Sequence, residues 1–271
     1  MIDIISNIEK EGDIYYPINS LEKKINYPDS GYDNLVNIEE NSFWFQYRNK
    51  CIVSLVESFA PNEILVDIGG GNGFTSYILK KHGLKSILIE PGQAGAFNAS
   101  KRGVETVCGT IEELNFNSSK IKSVGLFDVI EHIEDDLGFL KQIYKISSPE
   151  VMIFATVPAY NFLWSDEDIY AGHIKRYNLK SLSKLFIDAG FKIEYSSYYF
   201  QILILPILFF RALPFKLGIK KKQTKENLAK DHHKKGFLQK FIENMLNIEY
   251  SKIKQHLKLN YGASLILVAK K

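Results

Sequence analysis

A glycine-rich turn follows an apolar run in the stretch ILVDIGGGNGF, residues 64–74. The apolar residues, several of them β-branched, predict a buried central strand of a parallel sheet. Gly69, Gly71 and Gly73 alternate after it, so the backbone can turn tightly and a ligand can approach without a Cβ in the way. The pattern predicts a ligand-binding turn at the carboxyl end of a strand.

Asp67, placed before the first glycine, indicates which ligand the turn accepts. A dinucleotide puts its pyrophosphate on the helix N-terminus after such a turn, and a carboxylate beside it would repel that anion. A ligand with an ammonium or sulfonium charge would be attracted instead. Counting G-x-G-x-x-G from Gly69 also puts Phe74 where the third glycine of the dinucleotide fingerprint belongs. An NAD(P)-dependent oxidoreductase is therefore disfavoured.

A second carboxylate follows at the distance that a nucleoside requires. The apolar run Ser86–Ile89 predicts the next strand, and Glu90 stands at its end, 21 residues after Gly69. A carboxylate in this place can accept both ribose hydroxyls of a nucleoside. Glu90 therefore predicts a nucleoside ligand, although NAD and a sulfonium nucleoside would satisfy it equally.

Three strings carry a family resemblance. The pattern D-x-G-x-G-x-G of residues 67–73 resembles the first motif of class I S-adenosylmethionine (SAM) methyltransferases. The strings FWFQYRN, residues 43–49, and DVIEH, residues 128–132, look like the ubiquinone-type O-methyltransferases and their relatives. The resemblance spans about residues 37–191 and the final strand. It implies SAM as the cofactor and S-adenosylhomocysteine as the product.

The resemblance also implies roles for residues around the cofactor. In these relatives an arginine about 20 residues before the first glycine grips the methionine carboxylate, and Arg48 lies 21 residues before Gly69. A fork of donors suits that carboxylate. Asp128 falls where relatives contact the cofactor near its methionine part. Thr110 and Ile111 fall on the turn that packs on adenine, where many relatives carry Asp in place of Thr110.

Two histidines are candidates for activating the methyl acceptor. Methyl transfer from a sulfonium needs donor and acceptor held close and water excluded, and a base helps if the acceptor is a hydroxyl or an amine. Histidine suits that role because its pKa lies near neutrality. His132 follows the fourth strand, at the carboxyl edge where open α/β sheets bind ligands. His173 lies within residues 163–177, LWSDEDIYAGHIKRY, a polar and aromatic segment typical of an active-site lid.

The string G-H-x-x-R-Y, residues 172–177, resembles one that recurs in methyltransferases acting on polar glycan or lipid-linked acceptors. The resemblance implies that Trp164, Arg176 and Tyr177 contact the acceptor. An alternative leaves these residues structural: His132 tethers its own loop, and His173 and Arg176 hold the lid to the sheet.

Apolar strands alternate with helices from Glu63 to Phe200, which predicts a doubly wound, mostly parallel α/β sheet. In the class I methyltransferases the sheet has seven strands, and the last, here Leu265–Lys270, inserts antiparallel beside the sixth. We expect an irregular N-terminal lead-in over residues 1–36 and a SAM-binding core over residues 37–200. A helical insertion then covers residues 201–262, and the final core strand covers residues 263–271.

The insertion begins with nine apolar residues, ILILPILFF, residues 202–210, far short of the ~20 that a membrane-spanning helix needs. A cluster of basic residues follows: Lys216, Lys220, Lys221, Lys222 and Lys225. An apolar run followed by lysines is typical of a peripheral segment, here residues 202–225, that dips into an anionic leaflet. The alternative is a hydrophobic helix that caps the acceptor cavity and a solvated loop after it.

Composition narrows the class of protein. The 271 residues suffice for one large domain or a domain with an insertion. The net charge is +3, and no stripe of basic residues alternates with aromatic ones, so the sequence does not predict nucleic-acid binding. Cys51 and Cys108 stand far apart without a CxxC, which fits a reducing cytoplasm and predicts no metal site. The first residues lack the apolar segment of a signal peptide. We therefore expect a cytoplasmic protein, membrane-associated if the insertion touches lipid.

The sequence predicts a SAM-dependent methyltransferase. By resemblance alone, it methylates an oxygen of a small polar or carrier-linked acceptor, such as a glycan or a phospho-compound. An N-methyltransferase of the same fold stays open as an alternative. So do a non-catalytic SAM-binding protein, against which the polar lid argues, and a membrane-peripheral module that depends on residues 202–225 alone.

Overall fold

The computed structural model describes residues 3–18, 39–219 and 237–271. Its centre is a sheet whose strands, within these residues, are β1 Ile8–Glu11, β2 Ile14–Pro17, β3 Leu65–Ile68, β4 Ser86–Ile89, β5 Glu105–Val107, β6 Ser123–Phe127, β7 Met152–Pro158, β8 Lys192–Tyr199 and β9 Ser264–Lys270. The strand order across the sheet is β1-β2-β5-β4-β3-β6-β7-β9-β8.

The part of the sheet from β5 to β8 has the predicted class I arrangement. Strands β5, β4, β3, β6 and β7 are parallel neighbours. β9 lies antiparallel between β7 and β8, with Thr156 opposite Ile266 on one side and Ser197 opposite the same residue on the other. The predicted seven-stranded, doubly wound α/β fold is confirmed, including the antiparallel last strand.

The N-terminal residues differ from the irregular lead-in that the sequence predicts. β1 and β2 form a hairpin, and β2 extends the sheet by pairing in parallel with β5, so that Ile14 lies opposite Thr106. Gly12 has a φ of +60°, which permits the tight turn between the two strands. β1 is short and mostly exposed, so it lacks the apolar alternation by which strands are recognised in a sequence. The rest of the predicted lead-in, residues 1–2 and 19–36, lies outside the described residues.

Helices cover both faces of the sheet. Within the described ranges these are α1 Phe43–Phe59, α2 Phe74–Lys81, α3 Gln93–Lys101, α4 Asp136–Ile146, α5 Asp166–Ala171, α6 Leu179–Asp188, α7 Ile204–Ile207, α8 Leu213–Lys216 and α9 Phe237–Lys254. On one face α4 and α6 pack on a cluster that includes Ile87 and Ile153. On the other face α1 and α9 pack on a cluster that includes Leu65 and Phe154. This burial on both faces explains why the central strands are almost continuously apolar.

The predicted helical insertion is present, and its apolar run is divided between two environments. A helical turn at Gln201–Leu203 leads into α7, a single π-type turn over Leu208–Ala212 and α8. Ile202, Ile207 and other residues of this stretch pack partly against the core, whereas Leu205, Phe209 and Phe210 are more than half exposed. The described stretch of residues 201–216 is therefore amphipathic, with one side packed on the core and the other exposed. Lys220, Lys221, Lys222 and Lys225 lie outside the described residues. No helix in the described ranges is long and apolar enough to cross a membrane.

Candidate active site at the carboxyl edge of the sheet

The glycine turn lies between β3 and α2 and requires its glycines. Gly69, Gly71 and Gly73 have φ values of +71°, +57° and +68°, which L-residues with a side chain rarely adopt. A Cβ at Gly73 would lie 2.6 Å from the Cβ of Ala99 on α3. The glycines therefore let α2 pack close to α3, and the predicted approach of a ligand to this turn stays a prediction.

Glu90 connects the loops at the ends of the two central strands. Its Oε2 accepts a hydrogen bond of 2.8 Å from the Gly71 N–H, and its Oε1 accepts one of 2.7 Å from the Gly92 N–H. The residue is 3% exposed. Because each carboxylate oxygen can accept more than one hydrogen bond, these contacts orient Glu90 and still allow it to accept ribose hydroxyls.

Asp67 lies buried directly beneath the turn. Its Oδ2 accepts a 2.8 Å hydrogen bond from the Ser76 hydroxyl on α2, and within the described residues its Oδ1 has no hydrogen-bond partner. Burial raises the pKa of this carboxyl to about 6. A Cβ at Gly70 would lie 2.6 Å from Oδ2, so the turn is packed onto the carboxylate. Asp67 thus fastens α2 and places a negative charge under the ligand site; its direct contact with the cofactor stays a prediction.

Arg48 projects from α1 into the same edge of the sheet. Its guanidinium forms an ion pair with Asp128 and donates a 2.7 Å hydrogen bond to the Thr75 hydroxyl at the start of α2. It also lies 5.3 Å from the ring centroids of Trp44 and Phe45, as in a cation–π contact. Burial opposes its charge, but the nearby Asp128 carboxylate raises the pKa of Arg48. The structure therefore brings together the two residues predicted to face the methionine part of the cofactor.

Asp128 follows β6 in a conformation unusual for a non-glycine residue, with a φ of +57°. Its N–H donates to the carbonyl oxygen of Thr156 at 3.0 Å, and its Oδ1 accepts from the Thr156 hydroxyl at the same distance. Neighbouring β7 thus holds the residue in place. Strained backbone of this kind is typical of functional sites, where the surrounding structure stabilises it.

The turn after β5 lies next to Glu90, as an adenine-binding turn should. The Gly109 N–H donates to the Glu90 carbonyl oxygen at 3.2 Å. Ile111 is 5% exposed and belongs to the main core cluster. The Thr110 hydroxyl donates to Glu113 Oε2 at 3.0 Å, so its proton is already hydrogen-bonded within its own turn. The predicted adenine contacts of Thr110 and Ile111 stay predictions.

The two histidines predicted to act on the acceptor meet although they are 41 positions apart. The ring centroids of His132 and His173 are 5.0 Å apart. Glu131 joins them: its Oε1 lies 3.8 Å from His173 Nε2. Val129, just before Glu131 and His132 in the chain, packs against the glycine turn: a Cβ placed on Gly69 would lie 3.1 Å from a methyl group of Val129. The cluster therefore lies beside the predicted cofactor site.

Glu131 is the residue of this cluster whose importance the sequence did not show. It is fully buried, and within the described residues neither of its carboxylate oxygens has a hydrogen-bond partner. Burial, and secondarily the charge of Asp128, raises its pKa well above the ordinary value. Burial and the neighbouring His173 lower the pKa of His132. The signal for Glu131 in the sequence was its place as the acidic residue before the histidine of DVIEH. A residue in that place is equally typical of a surface ion pair.

Asp168, at the start of the lid helix α5, organises the lid. Its Oδ1 lies 2.9 Å from His173 Nδ1 and accepts from Arg176 Nε at 2.7 Å, and its Oδ2 accepts from Arg176 Nη2 at 2.9 Å. Although burial opposes ionisation, these hydrogen bonds lower the pKa of Asp168. Asp168 is thus a second functional candidate, which the residue pattern did not indicate.

Arg176 and Tyr177 make contacts that fit the structural alternative for the lid. Arg176 Nη1 also donates to the Ala159 carbonyl oxygen at 2.9 Å, and the Tyr177 hydroxyl donates to Asp136 Oδ2 at 2.7 Å. Both side chains hold the lid to the sheet. Trp164, half-buried at the end of the turn Asn161–Leu163, is the remaining predicted acceptor contact. Acceptor binding by these three residues stays a prediction.

The strand order, the glycine turn and Glu90 at the adjacent strand end define a class I, SAM-binding type of α/β protein. A family model described as "Methyltransferase domain" matches residues 43–196, more than half of the chain, and the chain belongs to that family. It is a SAM-dependent methyltransferase, an enzyme whose cofactor is SAM, as the sequence predicts.

Two relatives with named activities are distantly similar in sequence. The chain is 22% identical over 183 residues to a protein of Mycolicibacterium smegmatis named "Probable S-adenosylmethionine-dependent methyltransferase", covering 66% of this chain and 70% of that one. It is 21% identical over 167 residues to a similarly named protein of Mycobacterium tuberculosis, and spans 60% of that protein's length.

Solved structures share the fold. A Haloferax volcanii methyltransferase, in complex with the Trm112 methyltransferase activator, superposes with a TM-score of 0.58 at 14% identity, over 91% of this chain and 99% of that chain. The phosphoethanolamine N-methyltransferase 2 of Haemonchus contortus, bound to SAM, gives 0.56 at 17% identity, over 95% of this chain and 61% of that chain. At these identities the similarity shows the fold alone.

Proposed function

We propose that the enzyme transfers the methyl group of SAM to an oxygen of a small polar or carrier-linked acceptor, such as a glycan or a phospho-compound. The observation that carries this proposal is the cluster of Glu131, His132 and His173 beside the glycine turn, which offers a base for the acceptor; the choice of oxygen over nitrogen rests on the family resemblance. When bound, SAM supplies the methyl group on a sulfonium, so the protein needs to position the acceptor and receive its proton.

The residues present fit SAM as the cofactor. The glycine turn is fixed by its positive φ angles, and Glu90, which accepts the Gly71 N–H, is the acceptor that we propose for the ribose hydroxyls. Arg48 carries the donor fork proposed for the methionine carboxylate, held in place by Asp128. The negative charge of Asp67 beneath the turn complements a cationic ligand. A pyrophosphate would meet this charge unfavourably, which disfavours NAD(P).

The Nδ1 atom of each histidine is held by a neighbouring oxygen. His132 Nδ1 lies 3.1 Å from the Gly172 carbonyl oxygen, and His173 Nδ1 lies 2.9 Å from Asp168 Oδ1. Both partners accept hydrogen bonds, so Nδ1 donates in each ring, and Nε2 is the nitrogen that we propose to receive the acceptor's proton. An acceptor hydroxyl placed between this cluster and the cofactor can therefore hydrogen-bond to an Nε2 and lose its proton there.

An apolar surface beside the lid supports a carrier-linked acceptor. More than two-fifths of each of these side chains is exposed: Phe162, Ile169, Tyr170, Leu205, Phe209, Phe210 and Leu217. The lid and the insertion are linked by an ion pair of 3.3 Å between Arg211 and Glu167. Exposed apolar residues of this number mark interaction surfaces, and the lysines that follow in the sequence would complement an anionic membrane. The same proposal therefore includes peripheral membrane contact through residues 202–225.

Transfer of a labelled methyl group from SAM tests the proposal. Sugars, phosphorylated compounds, lipid-linked glycans and amines are supplied in parallel, and NMR of the product identifies the methylated atom. We expect O-methylation of a hydroxyl-bearing acceptor. N-methylation alone would assign the enzyme to the alternative class, and calorimetry showing NADH rather than SAM binding would reject the cofactor site.

Replacement of the histidines tests the acceptor side. His173→Ala should reduce turnover by about 10²–10⁴-fold, the usual contribution of acid–base catalysis, while SAM affinity stays near the wild-type value. His82→Ala is the matched control, because His82 is exposed at the end of α2, away from the cluster. Wild-type turnover in His173→Ala would place acceptor activation elsewhere.

A further inference from the structure

We propose that residues 4–17 form a clamp on the turn that is predicted to bind adenine, residues 109–114, and that Asn7 is the positioning residue through which the clamp acts. The class I part of the sheet ends at β5, and the β1–β2 hairpin extends the sheet beyond that edge. Because β2 runs parallel to β5, both strands end at the carboxyl edge, where open α/β sheets bind ligands. This inference rests on the cofactor placement of the proposed function and concerns how the chain holds that site.

The hairpin holds the first residue of the turn. The Cys108 N–H donates to the Tyr15 carbonyl oxygen at 2.8 Å, one residue before the turn begins. A Cβ at Gly109 would lie 2.8 Å from Cγ of Pro17, so the proline ring at the end of β2 packs directly on this glycine. The Gly109 N–H in turn donates to the Glu90 carbonyl oxygen. The clamp therefore reaches the strand end that carries the proposed ribose acceptor.

The residues before β1 hold the other end of the turn. Asn7 Nδ2 donates to the Glu113 carbonyl oxygen at 2.7 Å, and Asn7 Oδ1 accepts from the Asn115 N–H at 2.6 Å. The Asn117 N–H donates to the Ile4 carbonyl oxygen at 2.8 Å. A primary amide can donate and accept at the same time, which is what two neighbouring backbone groups of opposite kind require. A single side chain thus fixes the backbone where the turn ends.

Glu113 passes this constraint to the middle of the turn. Its Oε2 accepts from the Thr110 N–H at 2.8 Å and from the Thr110 hydroxyl at 3.0 Å. Ile111, the other predicted adenine contact, lies in the same buried cluster as Ile5 of the clamp. Asn7 therefore acts on the adenine site through Glu113, which makes it a positioning residue.

A turn that is already held in its binding conformation costs less free energy to order when the ligand binds. β5 is only three residues long, Glu105–Val107, so the strand itself gives the following turn a short anchor. The clamp adds support from outside the class I strands. Loss of the Asn7 contacts should therefore weaken cofactor binding and reduce the preference for adenine over another purine.

Isothermal calorimetry on the full chain measures both effects. The ligands are S-adenosylhomocysteine and S-inosylhomocysteine, in which hypoxanthine replaces adenine. Asn7→Ala removes two hydrogen bonds and should weaken S-adenosylhomocysteine binding about tenfold. The ratio of the two affinities should also fall toward one. A residue that only stabilises the fold would lower the unfolding temperature without changing this ratio.

Two control variants and a second test variant accompany Asn7→Ala. Glu113→Ala leaves the backbone contacts of the clamp in place and removes the hold on Thr110, so it should reduce the affinity ratio as well. Glu112→Ala, at an exposed position of the same turn, should bind both ligands like the wild type. Asn178→Ala removes an asparagine hydrogen bond to a backbone N–H at the start of α6. It should lower stability and leave both affinities unchanged.

A folded Asn7→Ala variant with the wild-type affinity and the wild-type ratio would overturn the inference. If Asn7→Ala does not fold, Glu113→Ala decides in its place, and wild-type values in that variant would overturn the inference equally. The proposed function fails separately. Weaker binding in Glu90→Ala but not in Asn7→Ala rejects only the clamp, whereas methylation of nitrogen by a protein that shows the Asn7 effect rejects only the oxygen acceptor.

Discussion

Arg48 and Asp128 form an ion pair at the carboxyl edge of the sheet, although α1 and the end of β6 are 80 positions apart in the chain. The Arg48 side chain is 9% exposed and that of Asp128 is 21% exposed. Each charge thus stabilises the other where water is largely excluded. The pair fixes the guanidinium that the family resemblance assigns to the cofactor's carboxylate.

Arg48→Met should weaken SAM binding by tenfold or more and also lower stability, because Asp128 loses its partner. Arg48→Lys retains the charge but not the fork, and should recover only part of both. Isothermal calorimetry and thermal unfolding measure the two effects. The combined variant Arg48→Met with Asp128→Asn should be more stable than the sum of the single changes implies. Additive effects would show that the pair is not coupled.

Glu90→Ala should weaken SAM binding by at least tenfold, since hydrogen bonds to a charged group contribute about 1.5–3 kcal/mol each. Glu90→Gln is the matched control. It keeps one acceptor oxygen and the side-chain volume, so its affinity should fall between those of the wild type and Glu90→Ala. A folded Glu90→Ala variant with wild-type affinity would reject the ribose contact.

SAM affinity should depend on pH through Asp67. Its pKa in the free protein is raised by burial to about 6, so the carboxyl gains a proton below that pH. A cationic ligand favours the ionised form and lowers this pKa, so affinity is highest well above pH 6 and declines as the pH falls through the pKa of the free protein. From pH 7 to pH 5 the loss should be up to about tenfold. Asp67→Asn should bind more weakly at pH 7 and lose this dependence; the wild-type pH profile in that variant would assign it to another group.

Phe209→Ser with Phe210→Ser should reduce flotation with anionic vesicles, because both side chains are more than half exposed on the insertion. Thermal stability should stay near the wild-type value for the same reason. Leu205→Asp, also at an exposed position, should likewise leave the fold stable and reduce vesicle binding. A large loss of thermal stability in Leu205→Asp would instead support the alternative in which this helix caps the acceptor cavity. Wild-type protein that ignores anionic vesicles at low salt ends the membrane proposal.

The lysines after the apolar run provide a separate test of membrane contact. Replacing Lys220, Lys221 and Lys222 with Gln should weaken vesicle binding, since each lysine near an anionic surface contributes about 1 kcal/mol. High salt should weaken the wild type in the same direction, because the attraction is screened within about 8–10 Å. Equal binding of the triple variant and the wild type would leave the apolar residues as the sole contact.

The amino-acid sequence by itself determined the cofactor half of the protein. The glycine turn, Asp67 and Glu90 were predicted from a few adjacent residues, because the φ angles of a tight turn and the apolar run of a buried strand are local properties. The alternation of strands and helices then fixed the fold class, since parallel strands need helical crossovers.

Which side chains are neighbours on the acceptor side was decided by the tertiary structure alone. Glu131 is a buried carboxyl group without a hydrogen-bond partner in the described residues, 3.8 Å from His173 of the lid, and Asp168 orients His173 while Arg176 holds Asp168. The β1–β2 hairpin likewise depends on pairing with β5, about 90 positions later. Such contacts depend on how segments far apart in the chain pack together. Neither the periodicity nor the spacing of residues along the chain predicts that packing.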